Sequence, residues 1–440
     1  MKLKLLFLLL FFSVFTYSQS ELFFLKDSSS NITFKTIEFQ KFKPLKKTIL
    51  EKNSNATFWF KIPANKSNFN YIFRVKSIRV SNAKAYQNFK EVPKLKNQRY
   101  VSFKISRNSD VFVKVSSKFS SYFPAELIKE DVSLYKEKIQ FLINGFYYGI
   151  AFLVILFSVF YFYFFKDNSF LYHAFLLMSL TFSFAAGDGI FYFFNVNTNN
   201  LEFIIVLNYI FLVYSATKFS NNFLMFDSYY PKLKKYTSFV IIVISLVVVL
   251  YLISDKNELF IILNTLTFIL LLAYWFLGLT LFRKNTHTKL FIFSYAIILF
   301  SGVDFFLLKN FGISFIDSNS ANMKIGGFIQ IIILSFAILF REKKLRKFNY
   351  FMKNEIIKFS KEIKALTNQN NDEPIKESIE NLSVREREVF NLIVAGKANK
   401  EIASEVNISV NTVKFHVKNI YVKLNVKSRK EVLVIKKDLK

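Results

Sequence analysis

The sequence predicts a multidomain membrane protein. It has an N-terminal all-β sandwich, a bundle of seven transmembrane helices, a short coiled coil and a C-terminal all-α helix-turn-helix domain of four helices. Three observations carry this. Seven apolar segments, each long enough to cross a bilayer, lie between positions 141 and 340. Short runs that alternate apolar and polar residues fill the segment before them. Four short runs with helical spacing close the chain.

Composition sets the frame. The chain has 440 residues, 52% of them hydrophobic, with 58 Phe and a formal charge of +29. That length suits two to four domains, and the apolar content is too high for one soluble domain. The excess charge is Lys, spread along the chain, so it points to no single partner by itself. Gly (10) and Pro (6) are scarce beside Phe, Lys, Asn and Ile, a bias that partly reflects AT-rich coding. With no Cys, disulfides, thiol catalysis, Cys-ligated zinc and a lipid-modified N-terminal Cys are excluded.

Lys2 and Lys4 precede an apolar run from Leu5 to Phe15 and then Thr16-Tyr17-Ser18. This is the pattern of a signal peptide, expected over 1–18. An extracytoplasmic sandwich is expected over 19–135. Its strands are placed at Ile32–Phe39, Thr57–Ile62, Tyr71–Val75, Val101–Ile105 and Val111–Val115, each β-branched or aromatic and bounded by turn residues.

The spans are expected at 141–165, 170–194, 201–219, 237–254, 259–282, 289–308 and 322–340. Lys166, the Lys232/Lys234/Lys235 group, Arg283, Lys284 and Lys289, and then Arg341, Lys343, Lys344, Arg346 and Lys347 fall on one set of connections. The alternate set carries Lys256 and Lys309. The positive-inside rule makes the first set cytoplasmic, which puts the sandwich outside and the C-terminal domain inside. Asn208, Asn264, Asp188, Asp304 and Gln330 should fall in the outer halves of their spans. They form either a polar cluster beneath the sandwich or ordinary interfacial positions. His173 reads as a packing residue, and the Gly187/Gly189 and Gly326/Gly327 pairs as points of close helix contact.

Over 341–371, Leu345, Met352, Phe359 and Leu366 recur every seven residues, with Phe348, Ile356 and Ile363 between them. This seam suits a parallel two-chain coiled coil; an amphipathic helix on the inner leaflet is the competing reading. Residues 372–380 form a polar linker. Too little chain separates the membrane from the last domain to hold a phosphate-receiver domain. No glycine-rich ATP loop, kinase His box, Ser/His/Asp spacing or metal cluster stands out, so the expectation is a non-enzyme that needs no cofactor.

Residues 381–440 carry 13 Lys/Arg against 6 Asp/Glu. Ser383 is placed to cap a first helix and Gly396 to end it. Ile402, Ala403 and Val406 mark a second. Ser409 caps a third, from Val410 to about Leu424, with Val413, Val417, Ile420 and Leu424 facing the core. Thr412, Lys414, Phe415, Lys418 and Asn419 are expected on its polar side. Ser428 caps a fourth, with Val432 and Ile435. A short helix, a tight turn and a longer helix make a helix-turn-helix, and the basic balance suits phosphate contacts.

The stretches LSVREREV, AGKANKEIASEVNIS and NTVKFHVKNIYVKL resemble the DNA-binding domain of LuxR-type response regulators. The resemblance implies that Val410–Leu424 enters the major groove, with Lys414, Phe415 and Lys418 at base edges and Asn399, Lys400, Ser409 and Thr412 on phosphates. It also implies that the fourth helix packs against a second copy. Over the sandwich, ATFWFKI, NYIFRVKSIRVSNAKAY and VFVKVSSKFSSYFPAEL resemble the jelly-roll sensor domain of seven-transmembrane receptors with diverse intracellular signalling modules. That family's likeness to carbohydrate-binding jelly rolls implies that Trp59, Tyr100, Tyr122 and Phe123 stack on a sugar, whereas the residues themselves favour core for each, Trp59 because it lies between Phe58 and Phe60 in a strand. The expected function is a membrane-bound one-component transcription regulator. It would sit in the inner membrane as a homodimer, with DNA, lipid and an unidentified extracytoplasmic ligand as partners. Proteolytic release of the DNA module near Asn368–Pro374, and a transporter or membrane enzyme with an appended DNA module, are the rival readings.

Overall fold

The structure is a computed structural model that describes residues 22–435 apart from 46–47, 52–56, 79, 118–120, 195, 197, 316–319 and 368–380. The expected signal peptide at 1–18 and linker at 372–380 lie outside the described residues. The chain divides into two units, Met1–Ile338 and Leu339–Lys440.

The N-terminal domain is built from β1 (Phe23–Asp27), β2 (Lys43–Pro44), β3 (Ile49–Glu51), β4 (Thr57–Ile62), β5 (Asn70–Val75), β6 (Val80–Gln87), β7 (Lys90–Val92), β8 (Ser102–Ser106), β9 (Val111–Ser117), β10 (Ser121–Phe123) and β11 (Ala125–Lys129). A six-stranded sheet has the order β2-β1-β4-β9-β6-β7, and a three-stranded sheet the order β11-β5-β8. A third, two-stranded sheet pairs β10 with β3. Every pairing is antiparallel. Phe58 and Phe60 of β4, Phe73 and Val75 of β5, and Phe103 of β8 meet between the layers, with Phe60 and Phe73 rings 5.5 Å apart. This is the sandwich that alternation predicts.

One strand expectation needs correction, and one long strand was not expected. Ile32–Phe39 is a turn followed by a short 3-10 helix, Ile37–Phe39. Its apolar residues serve another purpose. β4 is buried on both faces, so Trp59, which points away from the sandwich core, needs its own cover. Ile37, Ile32, Phe34, Phe42, Phe112 and Tyr86 supply it. Conversely β6, with the unpromising sequence VSNAKAYQ, pairs along β9 through a bulge between Val80 and Asn82. Ala83 and Ala85 are buried, paired with Val115 and Val113 of β9.

Seven helices among the described residues are long and apolar enough to cross a membrane. They are α1 (Glu130–Phe165), α2 (Asn168–Gly187), α3 (Thr198–Leu224), α4 (Leu233–Ser254), α5 (Asn257–Thr280), α6 (Thr286–Gly302, continued by a π turn at Val303–Leu307) and α7 (Ser320–Thr367). β11 passes directly into α1, which therefore starts eleven residues before the apolar span. The second span ends at Gly187 rather than at 194, and Gly189 takes a left-handed φ of 71° just beyond. α7 runs without a break through both the expected seventh span and most of the expected coiled-coil segment.

Close packing inside the bundle uses glycine. A Cβ on Gly327 would lie 2.8 Å from the Tyr147 hydroxyl, and one on Gly326 2.9 Å from Ile297. Several polar residues of the spans find local partners, since a buried polar group costs free energy unless it is hydrogen-bonded. Asn208 bonds Ser179 and Ser183, Tyr209 donates to Asn264 at 2.7 Å, and His173 shares a 2.9 Å bond with Ser158. Asp304 accepts from Ser314 and from the Phe315 N–H. Among the described contacts, Asn208 and Asn264 bond within the bundle and Asp304 bonds the 314–315 turn, while Asp188 reaches the β domain through its carbonyl's bond with Arg99.

The last domain has helices α8 (Val384–Val394), α9 (Asn399–Glu405), α10 (Val410–Lys423) and α11 (Arg429–Ile435) around Val389, Phe390, Ile393, Ile402, Val413, Val417, Ile420, Leu424 and Val432.

Candidate nucleic-acid interface and a buried junction

Local chemistry sets each helix end in the C-terminal domain. Ser383 Oγ accepts the Glu386 N–H at 3.2 Å, and Glu386 returns a carboxylate oxygen to the Ser383 N–H at 2.9 Å, a complete capping box. Ala398 has no acceptor, so at α9 only the Glu401 half of that exchange exists, at 2.7 Å. Ser409 Oγ accepts the Thr412 N–H at 3.0 Å and starts α10. The exits are alike. Gly396, Asn407 and Asn425 take φ values of 83°, 56° and 50°. The residue after each donates back across the turn, Lys397 to Leu392, Ile408 to Ala403 and Val426 to Tyr421. Gly and Asn are the residue types that adopt this left-handed ending at least cost.

A buried ion pair sets the angle of α10. Lys423, near its end, donates to Glu386 Oε2 at 2.6 Å and to the Asn381 carbonyl at 3.2 Å, and Glu386 is 1% exposed. Arg429 of α11 reaches back to the Lys397 carbonyl and to Asn399 Oδ1 at 3.1 Å, which ties α11 to the start of α9.

At about 100° per residue, Asn411, Lys414, Phe415 and Lys418 fall in one sector of α10. Asn411, Lys414 and Lys418 are exposed and Phe415 is half-buried. Asn411, which the sequence reading did not name, shares this exposed sector one turn before Lys414. Asn419, expected on the polar side, is 7% exposed. It lies on the flank of the apolar stripe with His416 and Lys423, the side that meets α8. His416 is buried too, and burial holds its imidazole below the ordinary histidine value, with Glu386 opposing. Of the residues matched to phosphate contacts, Lys400 and Ser409 are exposed, and Thr412 and Asn399 half-buried. Asn399 already spends its oxygen on Arg429, so its amide N–H groups are what a phosphate would meet.

The four aromatics named for sugar stacking are not brought together. Trp59 (1% exposed) is covered by Ile37 and Phe112, and Phe123 (0%) is in the sandwich core. Tyr100 donates its hydroxyl to the Gly187 carbonyl at 3.1 Å, and burial pushes that hydroxyl well above the ordinary tyrosine value. Tyr122 lies under Lys309 Nζ, 3.9 Å from the ring centroid.

The β domain and the bundle instead meet through buried charge. Arg74 sits on β5 between Phe73 and Val75, so it points out of the sandwich. It donates to Ser102 Oγ (3.0 Å), Gln98 Oε1 (3.1 Å) and Glu137 Oε1 of α1 (2.6 Å). Arg99 donates to both Glu137 oxygens (2.9 and 3.1 Å) and to the Asp188 carbonyl (3.1 Å). The Asp188 carboxylate takes Lys324 of α7 at 2.9 Å and the Tyr148 hydroxyl of α1, while Lys324 also donates to Asn144. Sequence reasoning singled out only Asp188 here. Lys324 carried a usable signal, a cation inside an apolar span.

A basic recognition helix held on a capped three-helix scaffold defines a DNA-binding helix-turn-helix module of the transcription-regulator class. Residues 380–435 match the family described as bacterial regulatory proteins, luxR family, and residues 140–341 match 7TM diverse intracellular signalling. The chain is 53% identical over 53 residues to spore germination protein GerE of Bacillus subtilis, covering 12% of this chain and 72% of that protein. It is 47% identical over 55 residues to transcriptional regulatory protein LiaR of the same organism (12% and 26%) and 41% over 58 residues to HTH-type transcriptional regulator MalT of Vibrio campbellii (13% and 6%). Apart from GerE, these matches span less than a third of each relative's length. Through its C-terminal domain the chain belongs to the luxR family of bacterial regulatory proteins, and in it that domain follows a seven-span membrane domain.

Proposed function

We propose that this protein is a membrane-bound one-component transcription regulator. Residues 19–135 face the outside of the inner membrane and take up a ligand or envelope cue, a carbohydrate being one class the jelly-roll likeness suggests. Residues 141–340 span the membrane, and 381–440 read an operator from the cytoplasm. Lys414, Phe415 and Lys418 meet base edges, and Asn399, Lys400, Ser409 and Thr412 meet phosphates. No chemistry is required of it. A ligand acts by binding one packing of two protomers more tightly than another.

The observation that carries the reading is α7. One unbroken helix, Ser320–Thr367, belongs to the bundle at its start and ends thirteen positions before the DNA-binding family match begins. Past the membrane, a partner-copy seam at Leu345, Phe348, Met352, Ile356, Phe359 and Ile363 is supported by their spacing alone; in the single chain Lys423 lies over the Phe359 ring at 5.9 Å and Phe348 lines a pocket with Arg385 and Glu388. The connections at the bundle end away from the β domain hold Lys166, Lys232, Lys234, Lys235, Arg283 and Lys284, which supports the proposed sidedness.

Chromatin immunoprecipitation of the full-length tagged protein, with parallel fractionation, tests this. The expected result is enrichment of discrete promoters while the tag stays in the membrane fraction. Absence of enriched sites would overturn the reading. Enrichment with the tag only in a soluble C-terminal fragment would replace it with proteolytic release.

A further inference from the structure

We infer that the buried chain of charges from Arg99 and Glu137 to Asp188 and Lys324 is the coupling device that sets the position of α7 according to the state of the β domain. The inference deepens the proposed function, because it rests on α7 leading toward the DNA-binding domain.

The contacts are unusual for a mere attachment point. Arg74, Arg99, Asp188 and Lys324 are each 5% exposed or less. Ion pairs this deep contribute little net stability relative to apolar packing, yet breaking one by removing a partner is costly. Such a chain therefore tolerates a few discrete arrangements and resists anything between them. Each link also joins different elements. Glu137 on α1 receives two arginines of the β domain, Asp188 beyond α2 receives Arg99 on its carbonyl, and the same residue's carboxylate holds Lys324 on α7. Displacing the Arg99 segment must release either Glu137 or Asp188, and Asp188 is what Lys324 depends on.

Backbone geometry removes the slack. Gly189, at φ 71°, lets the loop after α2 touch the Arg99 backbone; a Cβ there would lie 1.7 Å from the Arg99 carbonyl oxygen. On α7 the next turn after Lys324 carries Gly326 and Gly327, which sit against Ile297, Tyr147 and Phe184. That close contact leaves the start of α7 little freedom, and Lys324 adds charged ties to Asp188 and Asn144 beside it, so a change at Asp188 is felt on α7. Because α7 is continuous to Thr367, a displacement at Lys324 is carried along its length. Lys324 and Asp188 are thus positioning residues for the output helix.

The test uses the full-length chain in native membranes. The protein has no cysteine, so single cysteines can be placed one at a time at Lys343, Lys344, Leu345, Arg346 and Lys347 and their rates of reaction with a membrane-permeant maleimide measured. Asp188→Asn and Lys324→Met are expected to change the rate at one or more of these positions by about tenfold, as a minor helix position becomes populated. The exchanged pair, Asp188→Lys with Lys324→Asp, is expected to return the pattern toward wild type. If Asp188→Asn fails to accumulate, Tyr148→Phe removes one hydrogen bond to the same carboxylate and should shift the pattern in the same direction by less. A pattern unchanged in these variants, or an exchanged pair as altered as the single variants, overturns the inference. The thiol pattern does not involve DNA, so it stands or fails separately from the operator-binding reading.

Discussion

Lys423→Met measures how strongly the C-terminal domain depends on one buried ion pair. Glu386 is 1% exposed, and its Oε2 accepts both Lys423 Nζ at 2.6 Å and the Ser383 N–H at 2.9 Å. Removing the ammonium leaves a carboxylate in the interior with one hydrogen bond. Breaking a buried pair this way costs about 3–5 kcal/mol, and the surviving cap and the partial exposure of Lys423 place this case near the lower figure, about 3 kcal/mol. A domain of some sixty residues has about 3–9 kcal/mol in all, so the variant is expected to sit near its unfolding midpoint at moderate temperature. Glu386→Gln keeps an acceptor for the Ser383 N–H and should cost less, about 1–2 kcal/mol. The double variant should be more stable than the two losses added together, by about 1–3 kcal/mol of coupling. The assay is urea unfolding of the C-terminal fragment followed by circular dichroism. GerE, 72% of which this segment covers, is little more than such a module. A loss below about 0.5 kcal/mol for Lys423→Met, or strict additivity, would refute the reasoning.

Further outcomes follow from the same geometry. Lys414→Ala with Lys418→Ala should abolish operator selection by the C-terminal fragment while membrane insertion of the full chain is unchanged; gel-shift titration against competitor DNA checks it. For the unaltered fragment, log affinity should fall linearly with log salt by about 0.9 per phosphate contacted, and Lys400→Ala should lower that slope by about one contact. Gly189→Ala should loosen the β domain from the bundle, because its Cβ overlaps the Arg99 carbonyl at a left-handed φ; limited proteolysis in membranes, read as faster cleavage in the Arg99 segment between β7 and β8, reports it. Folding lowers the affinity of His416 for a proton, so its contribution is present above the unfolded value of about 6.5 and is lost as pH falls below it. Melting temperature of the fragment should drop on acidification through that range, and His416→Gln should flatten the dependence.

Legibility in the sequence followed the range of the interaction. Ser383, Ser409, Gly396 and Asn407 act on backbone groups within a few residues, so the helix ends of the C-terminal domain could be placed from letters alone. Hydropathy likewise marks a span, since every residue in it faces the same solvent. Ile32–Phe39 misled because its apolar residues cover Trp59 across the sheet instead of forming a strand, and β6 was hidden because its Ala residues answer to β9. Asn419 was misplaced because it lies on the edge of the apolar stripe, where a neighbouring helix decides which side is wet.

By itself the sequence determined the order of the parts: a β domain, seven apolar spans, a heptad-patterned segment, and a capped basic helix-turn-helix. Periodicity, capping and hydropathy are properties of neighbouring residues, and those are written in order along the chain. Only the tertiary structure decided that Arg99 meets Asp188 and that Lys324 meets Asn144, pairs 89 and 180 positions apart. A charge taken out of water must find its opposite wherever the fold brings one, and no local pattern records where that is.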